Sequence, residues 1–299
     1  MARLADPTIL LVGATGQVGH ELRAPLSELG TVTTPDRDTL DLTTPAAIRS
    51  CVQEVDPDVI VNAAAYTAVD DAEEEHERAE VVNAKAPGVL AEEAAEVGAW
   101  LVHYSTDYVF DGTKTRPYVE TDPTNPINVY GRTKRDGDAA VQEADGPHLI
   151  LRTSWVYSAR RSNFLLSMLR LADEHDTLTV VDDQTGTPTS AAWIAEATAT
   201  LLRRLRDATT PDDFSGLYHL AASGQTSWYG FARAIFAQFG RDDVTVESIP
   251  TEEYPTPAER PAYTVLDSGK ARTTFDLDIP TWSEQLAVLR HRMDECETA

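Results

Sequence analysis

The sequence predicts an α/β protein, a Rossmann-like doubly wound parallel sheet with a smaller, interleaved C-terminal domain. Two observations support this prediction. An apolar run, Thr8–Val12, leads directly into glycines at positions 13, 16 and 19, which is the order of strand, tight turn and helix that opens such folds. Apolar strands then alternate with helical stretches, and this alternation implies parallel strands joined by helical crossovers.

The glycine segment predicts a phosphate-binding turn. Glycines let the backbone turn tightly and approach a pyrophosphate, and the first amides of the following helix, predicted to reach about Leu26, hold the negative charge. The spacing is Gly-x-x-Gly-x-x-Gly rather than the more usual Gly-x-Gly-x-x-Gly. The segment therefore predicts that the chain binds a dinucleotide. The predicted contacts are Gly13, Thr15, Gly16, Gln17, Val18 and Gly19.

The end of the second strand bears on which dinucleotide binds. This strand is predicted over Val32–Pro35 and is followed by Asp36 and Arg37. An acidic residue about 20 positions past the glycines accepts hydrogen bonds from the adenine ribose, whereas a nearby arginine accommodates a 2′-phosphate. Asp36 thus argues for NADH and Arg37 for NADPH, so both cofactors stay open, as does a purely solvated role for the two charges. Asp41 and Leu42, at the next turn, are candidates to contact the adenine.

Three further strand ends are candidate walls of a site. Apolar strands are predicted over Val59–Val61, Trp100–Tyr104 and Leu149–Leu151, with helices over Ala86–Val97 and Lys134–Glu143. Ligands of such sheets bind beyond the carboxyl ends of the strands. The small residues after the first of these strands would let a flat cofactor lie against the backbone, although close packing alone also explains them. The cofactor contacts predicted there are Ala64, Ala65 and Tyr66.

Tyr130 and Lys134 are the pair with the most specific chemistry. On a helix, residues four apart lie on one face. A phenol has an ordinary pKa near 10, and a lysine cation a few ångströms away favours its ionised form. The pair therefore predicts a tyrosine of lowered pKa that acts as a general acid toward a carbonyl oxygen. A packed ring beside a solvated amine is the alternative when such a pair stands alone.

Thr106 follows the apolar strand at 100–104 and is a candidate partner of the same carbonyl oxygen. A hydroxyl placed there in advance would stabilise the negative charge that develops in the transition state. Taken alone, a threonine after a strand is more often a cap or turn residue.

These residues resemble the extended short-chain dehydrogenase/reductases, and within them the dTDP-4-dehydrorhamnose reductases, over nearly the whole chain. The later blocks are the more specific ones, because they belong to the substrate side rather than to the shared cofactor fold. The blocks that carry the resemblance include Gly13–Gly19, Val59–Asp70, Gly98–Phe110, Pro126–Lys134, Leu151–Tyr157, Asn163–Phe164, Asp183–Thr189 and Tyr254–Pro261.

The resemblance implies a catalytic set and a reaction. A nicotinamide would deliver hydride to C4 of dTDP-4-dehydro-6-deoxy-L-mannose, Tyr130 would give its proton to the oxygen, and the product would be dTDP-L-rhamnose. Lys134 would also bond the nicotinamide ribose. The implied catalytic residues are Thr106, Tyr130 and Lys134, and the implied substrate contacts are Thr106, Asp107, Tyr108, Trp155 and Asn163.

Two departures from related patterns narrow the implied activity. Dehydratases of the same superfamily follow their threonine with Asp-Glu, whereas Asp107 is followed here by Tyr108, which argues against dehydration. Some of the resembled reductases bind Mg²⁺ through glutamates at a dimer contact. Glu21 matches one such position, but Ala192 stands at another, so the sequence argues against a shared Mg²⁺ and predicts no metal site. A homodimer stays open.

Two other functions also stay open. One is a non-catalytic binding or regulatory subunit of the same fold, against which the intact Thr106, Tyr130 and Lys134 argue. The other is a nucleotide-sugar epimerase, or a reductase that acts on another base or keto sugar. The substrate-side blocks disfavour the epimerase, but no residue identifies the base.

The composition is strongly acidic. The 299 residues include 25 Lys and Arg against 49 Asp and Glu, for a net charge of −24. This favours adaptation to high intracellular salt, because molar salt shortens the Debye length to roughly 3 Å and screens the self-repulsion; an acidic mesophilic surface is the alternative. The sequence shows no basic footprint for nucleic acid. An anionic nucleotide sugar still requires local positive charge, for which Arg260 is the first candidate, followed by Arg160 and Arg161.

The remaining features predict a cytoplasmic protein with two unequal domains. Cys51 and Cys296 form no Cys-x-x-Cys pair, which favours a reducing compartment. No apolar run approaches a membrane span, and the first eight residues lack a signal-peptide core. Residues 1–152 are predicted to form the dinucleotide-binding domain and residues 153–299 mainly a substrate-binding domain. The strand-like pieces Thr179–Val181 and Leu217–Leu220 are expected to return to the main sheet.

Overall fold

The computed structural model describes residue 4 and residues 6–297 of the chain. Its strands are β1 (Thr8–Val12), β2 (Thr31–Thr33), β3 (Val59–Asn62), β4 (Trp100–Thr106), β5 (His148–Thr153), β6 (Val156–Tyr157), β7 (Thr177–Val181), β8 (Thr185–Gly186), β9 (Thr189–Ser190), β10 (Gly216–His219), β11 (Thr226–Ser227) and β12 (Thr245–Ile249). Its α-helices are α1 (Gln17–Ser27), α2 (Pro45–Val55), α3 (His76–Glu80), α4 (Ala86–Val97), α5 (Val129–Glu143), α6 (Phe164–Glu174), α7 (Ala191–Asp207), α8 (Trp228–Gln238), α9 (Gly269–Phe275) and α10 (Trp282–Glu297). A π-helical turn over Val81–Lys85 joins α3 to α4.

Six strands form the main sheet in the order β10-β5-β4-β3-β1-β2. Every neighbouring pair in it is parallel. The apolar sequences of β1 and β3 suit strands covered by helices on both faces, and both strands are buried almost throughout. The chain runs from β1 outward to β2 and then returns to the other side of β1 with β3. This reversal is the doubly wound arrangement, so the predicted fold is confirmed.

Hydrophobic cores cover both faces of the main sheet. On one face α1 and α7 pack against residues such as Ile9 and Val61. On the other, helices α2 and α4 pack against residues such as Leu10 and Ile60. Each fully buried leucine or isoleucine of these cores contributes roughly 1.5–3 kcal/mol to folding. Because α7 comes from the second half of the chain, that half also covers the sheet that carries the site.

A separate core lies in the second half of the chain. It is built from α6, α8 and α10 with β7 and includes Leu165, Phe231 and Leu286. β7 pairs with β12 in a two-stranded parallel sheet. The expectation that Thr179–Val181 returns to the main sheet was therefore wrong, because β12 supplies a nearer partner, whereas β10 does lie beside β5 in the main sheet. The division of the chain at residue 152 stays a prediction.

Smaller differences concern the ends of elements. β2 ends at Thr33, earlier than the predicted Pro35, and α5 begins at Val129, so Tyr130 lies in its first turn. Among the described residues no helix is both long and apolar enough to cross a membrane. Cys51 is buried and unpaired, and the side chain of Cys296 lies outside the described residues.

Candidate active site

The glycine turn between β1 and α1 has the shape that a bound diphosphate requires. Gly13 has a φ of +82°, a conformation that favours glycine. A Cβ atom at Gly13 would lie 2.6 Å from the backbone nitrogen of Ala64, and one at Gly19 would lie 2.1 Å from the carbonyl oxygen of Gly13. α1 begins after Gly16, which has no side chain to cap the first amides. The turn therefore fits a dinucleotide phosphate at a helix N-terminus.

Residues from the second half of the chain contact this turn. Ser158 Oγ donates to Gln17 Oε1 at 2.8 Å, and Asn163 Nδ2 donates to the same oxygen at 3.0 Å. Arg161 Nε donates to the carbonyl oxygen of Thr15 at 2.7 Å. Arg161 thus lies at the predicted cofactor turn, although the sequence suggested it for the sugar nucleotide. Asn163 also caps α6 by accepting from the amide of Leu166 at 3.2 Å, and its contact with the sugar stays a prediction.

The predicted ribose and adenine contacts lie in exposed turns. Asp36 accepts from the backbone amide and the hydroxyl of Thr39, both at 2.9 Å, and these bonds lower its pKa. Asp41 accepts from Thr43 in the same way, while Leu42 packs against the core under α2. Asp36 is thus held by its own turn and stays exposed beside Arg37. The positions of Asp36 and Arg37 therefore do not decide between NADH and NADPH.

A buried asparagine connects the segment that follows β3 to helix α5. Asn83, in the π-helical turn, accepts from the amide of Tyr66 at 2.8 Å and donates to the Tyr66 carbonyl at 3.0 Å. Its Nδ2 also donates to Thr133 Oγ1 on α5 at 3.1 Å. Tyr66 and Tyr130 pack against the same small apolar cluster, which includes Val129. This network places the predicted cofactor segment beside the predicted catalytic helix. No local pattern could have identified Asn83, because its partners are distant along the chain.

Thr106, Tyr108 and Tyr130 meet at the carboxyl end of β4. The rings of Tyr108 and Tyr130 lie edge to face, with centroids 5.7 Å apart. Thr106 Oγ1 accepts from the amide of Tyr108 at 3.2 Å and donates to Asp107 Oδ1 at 3.1 Å. Burial raises the pKa of Tyr130, and the nearby Thr106 hydroxyl acts in the opposite direction. The structure therefore brings together the predicted proton donor and the predicted oxyanion partner.

The predicted lowering of the Tyr130 pKa is wrong for this structure. Burial raises the pKa of Tyr130 to about 12, and the nearby Thr106 hydroxyl offsets only part of that effect. The side-chain nitrogen of Lys134 donates instead to the carbonyl oxygen of Tyr104 at 2.6 Å and lies 3.2 Å from His103 Nε2. The side chain of Lys134 is therefore hydrogen-bonded to β4. Because the pKa of Tyr130 is raised, its phenol is protonated at neutral pH.

Lys134 lies in a buried cluster of ionisable groups. Burial lowers its pKa to about 8, although Asp138, one turn later on α5, acts in the opposite direction. Asp138 Oδ2 accepts from Arg152 Nε at 3.1 Å in a buried ion pair. The Arg152 guanidinium also lies over the ring of Phe110, 5.3 Å from its centroid. Sequence reasoning missed Asp138, although an acidic residue four positions after a helical lysine was a readable signal; its partner Arg152 lies on another element.

Asp107 is a buried carboxyl that orients Thr106. Besides the Thr106 hydroxyl, it accepts from Ser154 Oγ at 2.9 Å. Burial raises the pKa of Asp107 to about 6, while the hydrogen bonds from Ser154 and Thr106 act in the opposite direction. The contacts with Ser154, which precedes Trp155, link the end of β4 to the next predicted wall of the site.

Trp155 is held in a strained position. Its φ of +45° is in the left-handed region, which costs roughly 1–3 kcal/mol for a residue other than glycine. Its indole is stacked on that of Trp228, with centroids 3.5 Å apart and an interplanar angle of 2°. A Cβ atom at Gly186 would lie 2.3 Å from Trp155 Cε2. Trp228 and Gly186 therefore fix the predicted substrate contact, and no local pattern could have identified them.

Arg260 is placed beside Tyr108 by an ion pair. Its Nη2 donates to Asp70 Oδ2 at 2.9 Å, and Asp70 Oδ1 accepts from the amide of Ala258 at 3.1 Å. Burial raises the pKa of Tyr108, and the nearby Arg260 guanidinium acts in the opposite direction. The proline-rich loop that ends at Pro261 is thus attached to the segment after β3. Arg160 is exposed at the other candidate position.

The described residues contain no group of three or more His, Cys, Asp or Glu side chains placed to hold a metal ion. Glu21 is partly buried on α1, and Ala192 is buried at the start of α7. The expectation that no Mg²⁺ is shared at a dimer contact stays a prediction.

Comparison with known proteins finds relatives along nearly the whole chain. Residues 7–294 match the family described as RmlD substrate binding domain. The dTDP-4-dehydrorhamnose reductase of Burkholderia thailandensis is 49% identical over 282 residues, which cover 92% of this chain and 95% of that protein. The dTDP-4-dehydrorhamnose reductase of Salmonella typhimurium is 45% identical and covers 92% of this chain and 94% of its own.

Solved structures agree with these relatives. The dTDP-4-dehydrorhamnose reductase of Bacillus anthracis, solved in complex with NADP, has a TM-score of 0.89 and 35% identity and covers 95% of this chain and 98% of its own. The UDP-glucose 4-epimerase of Thermus thermophilus, in complex with NAD, has a TM-score of 0.76 and 18% identity and covers 95% of this chain and 98% of its own. At that identity the second likeness shows the fold alone.

Proposed function

Because this chain belongs to the RmlD substrate binding domain family, we infer that it is an NAD(P)H-dependent oxidoreductase that reduces dTDP-4-dehydrorhamnose in dTDP-rhamnose biosynthesis. The substrate is dTDP-4-dehydro-6-deoxy-L-mannose and the product is dTDP-L-rhamnose. Relatives named dTDP-4-dehydrorhamnose reductase are 45–49% identical to this chain over more than nine-tenths of their own length. The NADP bound to the Bacillus anthracis relative makes NADPH the first cofactor to test, with NADH beside it.

The observation that supports this function best is the meeting of Tyr130 and Thr106 at the end of β4. A bound reduced nicotinamide supplies the hydride that C4 of the sugar receives. Tyr130 then has to give a proton to the oxygen on C4, and its raised pKa of about 12 keeps the phenol protonated for that step. An alkoxide is a stronger base than a phenolate, so the transfer is favourable.

Thr106 and Lys134 complete the proposed site. The Thr106 hydroxyl lies where it would steady the oxygen as negative charge develops on it. Asp107 receives the hydrogen of that hydroxyl in this structure, so the hydroxyl would turn from Asp107 toward the substrate oxygen when the sugar binds. Lys134, held against β4, would bind the nicotinamide ribose and stabilise the phenolate that Tyr130 leaves behind. The backbone amides of the glycine turn, residues 13–19, are proposed to bind the diphosphate.

The proposed substrate contacts surround the same strand ends. Tyr108 and Asp107 lie at the sugar, and Trp155, fixed by Trp228, forms another wall. Arg260 supplies the positive charge that a nucleoside diphosphate needs in an otherwise acidic protein. No contact identifies the base, so the proposal of dTDP over UDP or GDP depends on the relatives.

The chain is also proposed to act in the cytoplasm on a small-molecule substrate. The unpaired, buried Cys51 supports a reducing compartment. A homodimer stays a prediction of the resemblance.

A spectrophotometric assay tests the proposed function. Purified protein in high salt is mixed with dTDP-4-dehydro-6-deoxy-L-mannose and either NADPH or NADH, and the loss of cofactor absorbance is followed. We expect oxidation of at least one cofactor that depends on the sugar nucleotide. Binding of both ligands without oxidation would instead support the non-catalytic subunit. Equal rates with UDP- and GDP-linked analogues would overturn the assignment of the base.

A further inference from the structure

A chain of buried hydrogen bonds connects the segment after β3 to Lys134. The amide of Ala64 donates to Asn62 Oδ1 at 3.2 Å, and Asn62 Nδ2 lies 3.1 Å from His103 Nδ1. His103 Nε2 lies in turn 3.2 Å from Lys134 Nζ. Asn62 and His103 are paired residues on the adjacent strands β3 and β4, and both are almost fully buried. Water therefore does not exchange freely with these bonds.

The direction of each bond follows from what each atom can do. A backbone N–H only donates, so the side of Asn62 that faces Ala64 is its oxygen, and the side that faces His103 is its NH₂ group. That NH₂ group only donates, so His103 Nδ1 accepts. A neutral histidine with an accepting Nδ1 carries its hydrogen on Nε2. The Nε2–H group therefore points at Lys134 Nζ.

A histidine N–H can bond to a lysine nitrogen only if that nitrogen has a lone pair. An ammonium group has three donors and no acceptor, so it would face the Nε2–H group as donor against donor. A neutral amine satisfies both contacts of Lys134, because it accepts from His103 and donates to the carbonyl oxygen of Tyr104 at 2.6 Å. We propose that the chain from Ala64 through Asn62 and His103 holds Lys134 as a neutral amine in the cofactor-free protein, and that Lys134 takes up a proton when the nicotinamide cofactor binds.

The surroundings of Lys134 are consistent with this proposal. The groups that face it are His103 and the Tyr104 carbonyl from β4 and Asp138 from α5. Asp138 favours the ammonium form, but its carboxylate is already paired with Arg152. Burial opposes a charge on Lys134 and on His103 alike, and it lowers the pKa of His103 well below its ordinary value. Burial lowers the pKa of Lys134 to about 8, so the neutral amine is the main form above that pH, which is the range of the test below.

Cofactor binding would reverse this balance. The proposal rests on the proposed function, since it assumes that Lys134 meets the ribose of an anionic dinucleotide. Ribose hydroxyls accept hydrogen bonds from an ammonium, and the added negative charge favours a cation. The protonated lysine requires an accepting Nε2 on His103, and therefore a reversed Asn62 amide that releases the amide of Ala64. Ala64 belongs to the predicted cofactor contacts, so binding at that strand end and protonation of Lys134 would be coupled.

Asn62→Asp is the sharpest test, because it is isosteric. A carboxylate at position 62 accepts from both Ala64 and His103, which moves the histidine hydrogen to Nδ1 and leaves Nε2 as an acceptor. Lys134 then becomes an ammonium before any cofactor binds. His103→Gln, whose amide oxygen can accept from an ammonium, provides a second variant with the same expected effect. His219→Gln is the matched control, since His219 is a buried histidine that contacts the Tyr118 carbonyl rather than Lys134.

The readout is the number of protons taken up on binding of NADPH, from titration calorimetry in Tris and in HEPES at a pH near 8.5. At that pH the 2′-phosphate of NADPH is fully ionised, so its titration does not interfere. We expect the wild type and His219→Gln to take up close to one proton per chain, and Asn62→Asp, His103→Gln and Lys134→Met to take up almost none. Circular dichroism checks that each variant is folded.

The outcomes separate the two proposals. No binding heat with NADPH or NADH would overturn the proposed cofactor and with it the proposed function. Binding without proton uptake in the wild type would overturn the neutral Lys134 while leaving the reductase intact. Equal uptake in the wild type, Asn62→Asp and His103→Gln would show that Lys134 is not controlled through the Asn62–His103 chain.

Discussion

The side-chain nitrogen of Lys134 donates to the carbonyl oxygen of Tyr104 at 2.6 Å. Tyr104 lies on β4, which ends at Thr106, and Lys134 lies one turn after Tyr130 on α5. The bond therefore fixes the helix that carries the proposed acid to the strand that carries the proposed oxyanion partner. Rates depend steeply on the relative placement of reacting groups, so the proposed proton transfer requires this contact as well as the phenol of Tyr130.

Tyr130→Phe removes the proton donor and keeps the ring that packs against Tyr108. We expect kcat for the reduction to fall by about 10²–10⁴-fold, with a much smaller change in KM, because the lost hydrogen serves the transition state rather than ground-state binding. Steady-state kinetics over a range of sugar nucleotide concentrations measures both constants.

Tyr118→Phe is the matched control for this experiment. Tyr118 is a buried tyrosine whose hydroxyl donates to Asp111 at 3.1 Å, and it has no place in the proposed site. Its loss is expected to leave kcat within about threefold while costing about 1 kcal/mol of stability. A full rate in Tyr130→Phe would contradict the assigned proton donor.

Arg260→Ala tests the proposed contact with the diphosphate. A charge-assisted hydrogen bond contributes about 1.5–3 kcal/mol, so KM for the sugar nucleotide should rise by roughly 10–100-fold with little change in kcat. Asp70→Asn retains the arginine but weakens the pair that holds it, and should raise KM less. Arg203→Ala is the control, because Arg203 on α7 is paired with Glu28 at the end of α1 and has no place in the proposed site; it should leave KM unchanged. An unaltered KM in Arg260→Ala would exclude it from the phosphate site.

Asp107 should impose a pH dependence on stability. Burial raises its pKa from 3.8 to about 6, so its contribution to folding is fully present below pH 3.8 and is lost as the pH rises through about 6. The difference corresponds to about 3 kcal/mol. Asp107→Asn removes this loss, so its free energy of unfolding relative to wild type should increase by about that amount between about pH 4 and pH 7. Denaturant unfolding of both proteins at both pH values measures this change. If the free energies of unfolding of variant and wild type differ by the same amount at both pH values, the pKa of Asp107 is not raised by folding.

The net charge of −24 predicts dependence on salt. At about 0.1 M salt the Debye length is about 10 Å, so repulsion between the acidic surface residues destabilises the fold. Molar KCl shortens that length to about 3 Å and screens the repulsion. We expect the midpoint of thermal unfolding and the rate to rise together with KCl. A neutral osmolyte at matched osmolality controls for exclusion effects that do not involve charge. Full stability and activity at low salt would contradict the halophilic interpretation.

The elements that the sequence predicted best depend on neighbours along the chain. The strand over Thr8–Val12, the helix over Ala86–Val97 and the glycine turn all have bounds or shapes set by local patterns, and the structure reproduces them. The Tyr130 and Lys134 pair was also readable, since its spacing alone places both residues on one helix face.

Contacts between distant segments could not be predicted in this way. Asp70 and Arg260 are 190 positions apart. The stacking of Trp155 on Trp228 joins the turn after β5 to the first residue of α8, and these segments meet only in the folded chain. The sequence placed Lys134 near the phenol by helical spacing, but the burial of both groups and the partners from β4 decide their pKa values. Burial of a particular side chain follows from tertiary packing, which spacing does not show.

Transfer of deuterium from labelled cofactor tests whether the protein delivers hydride to C4 of the sugar. The protein is incubated in high KCl with dTDP-4-dehydro-6-deoxy-L-mannose and NADPH or NADH deuterated at C4 of the nicotinamide, and the product is examined by NMR. We expect dTDP-L-rhamnose that carries the deuterium on C4 of the sugar. Cofactor that stays reduced, or a product without deuterium at that carbon, would contradict this delivery of hydride.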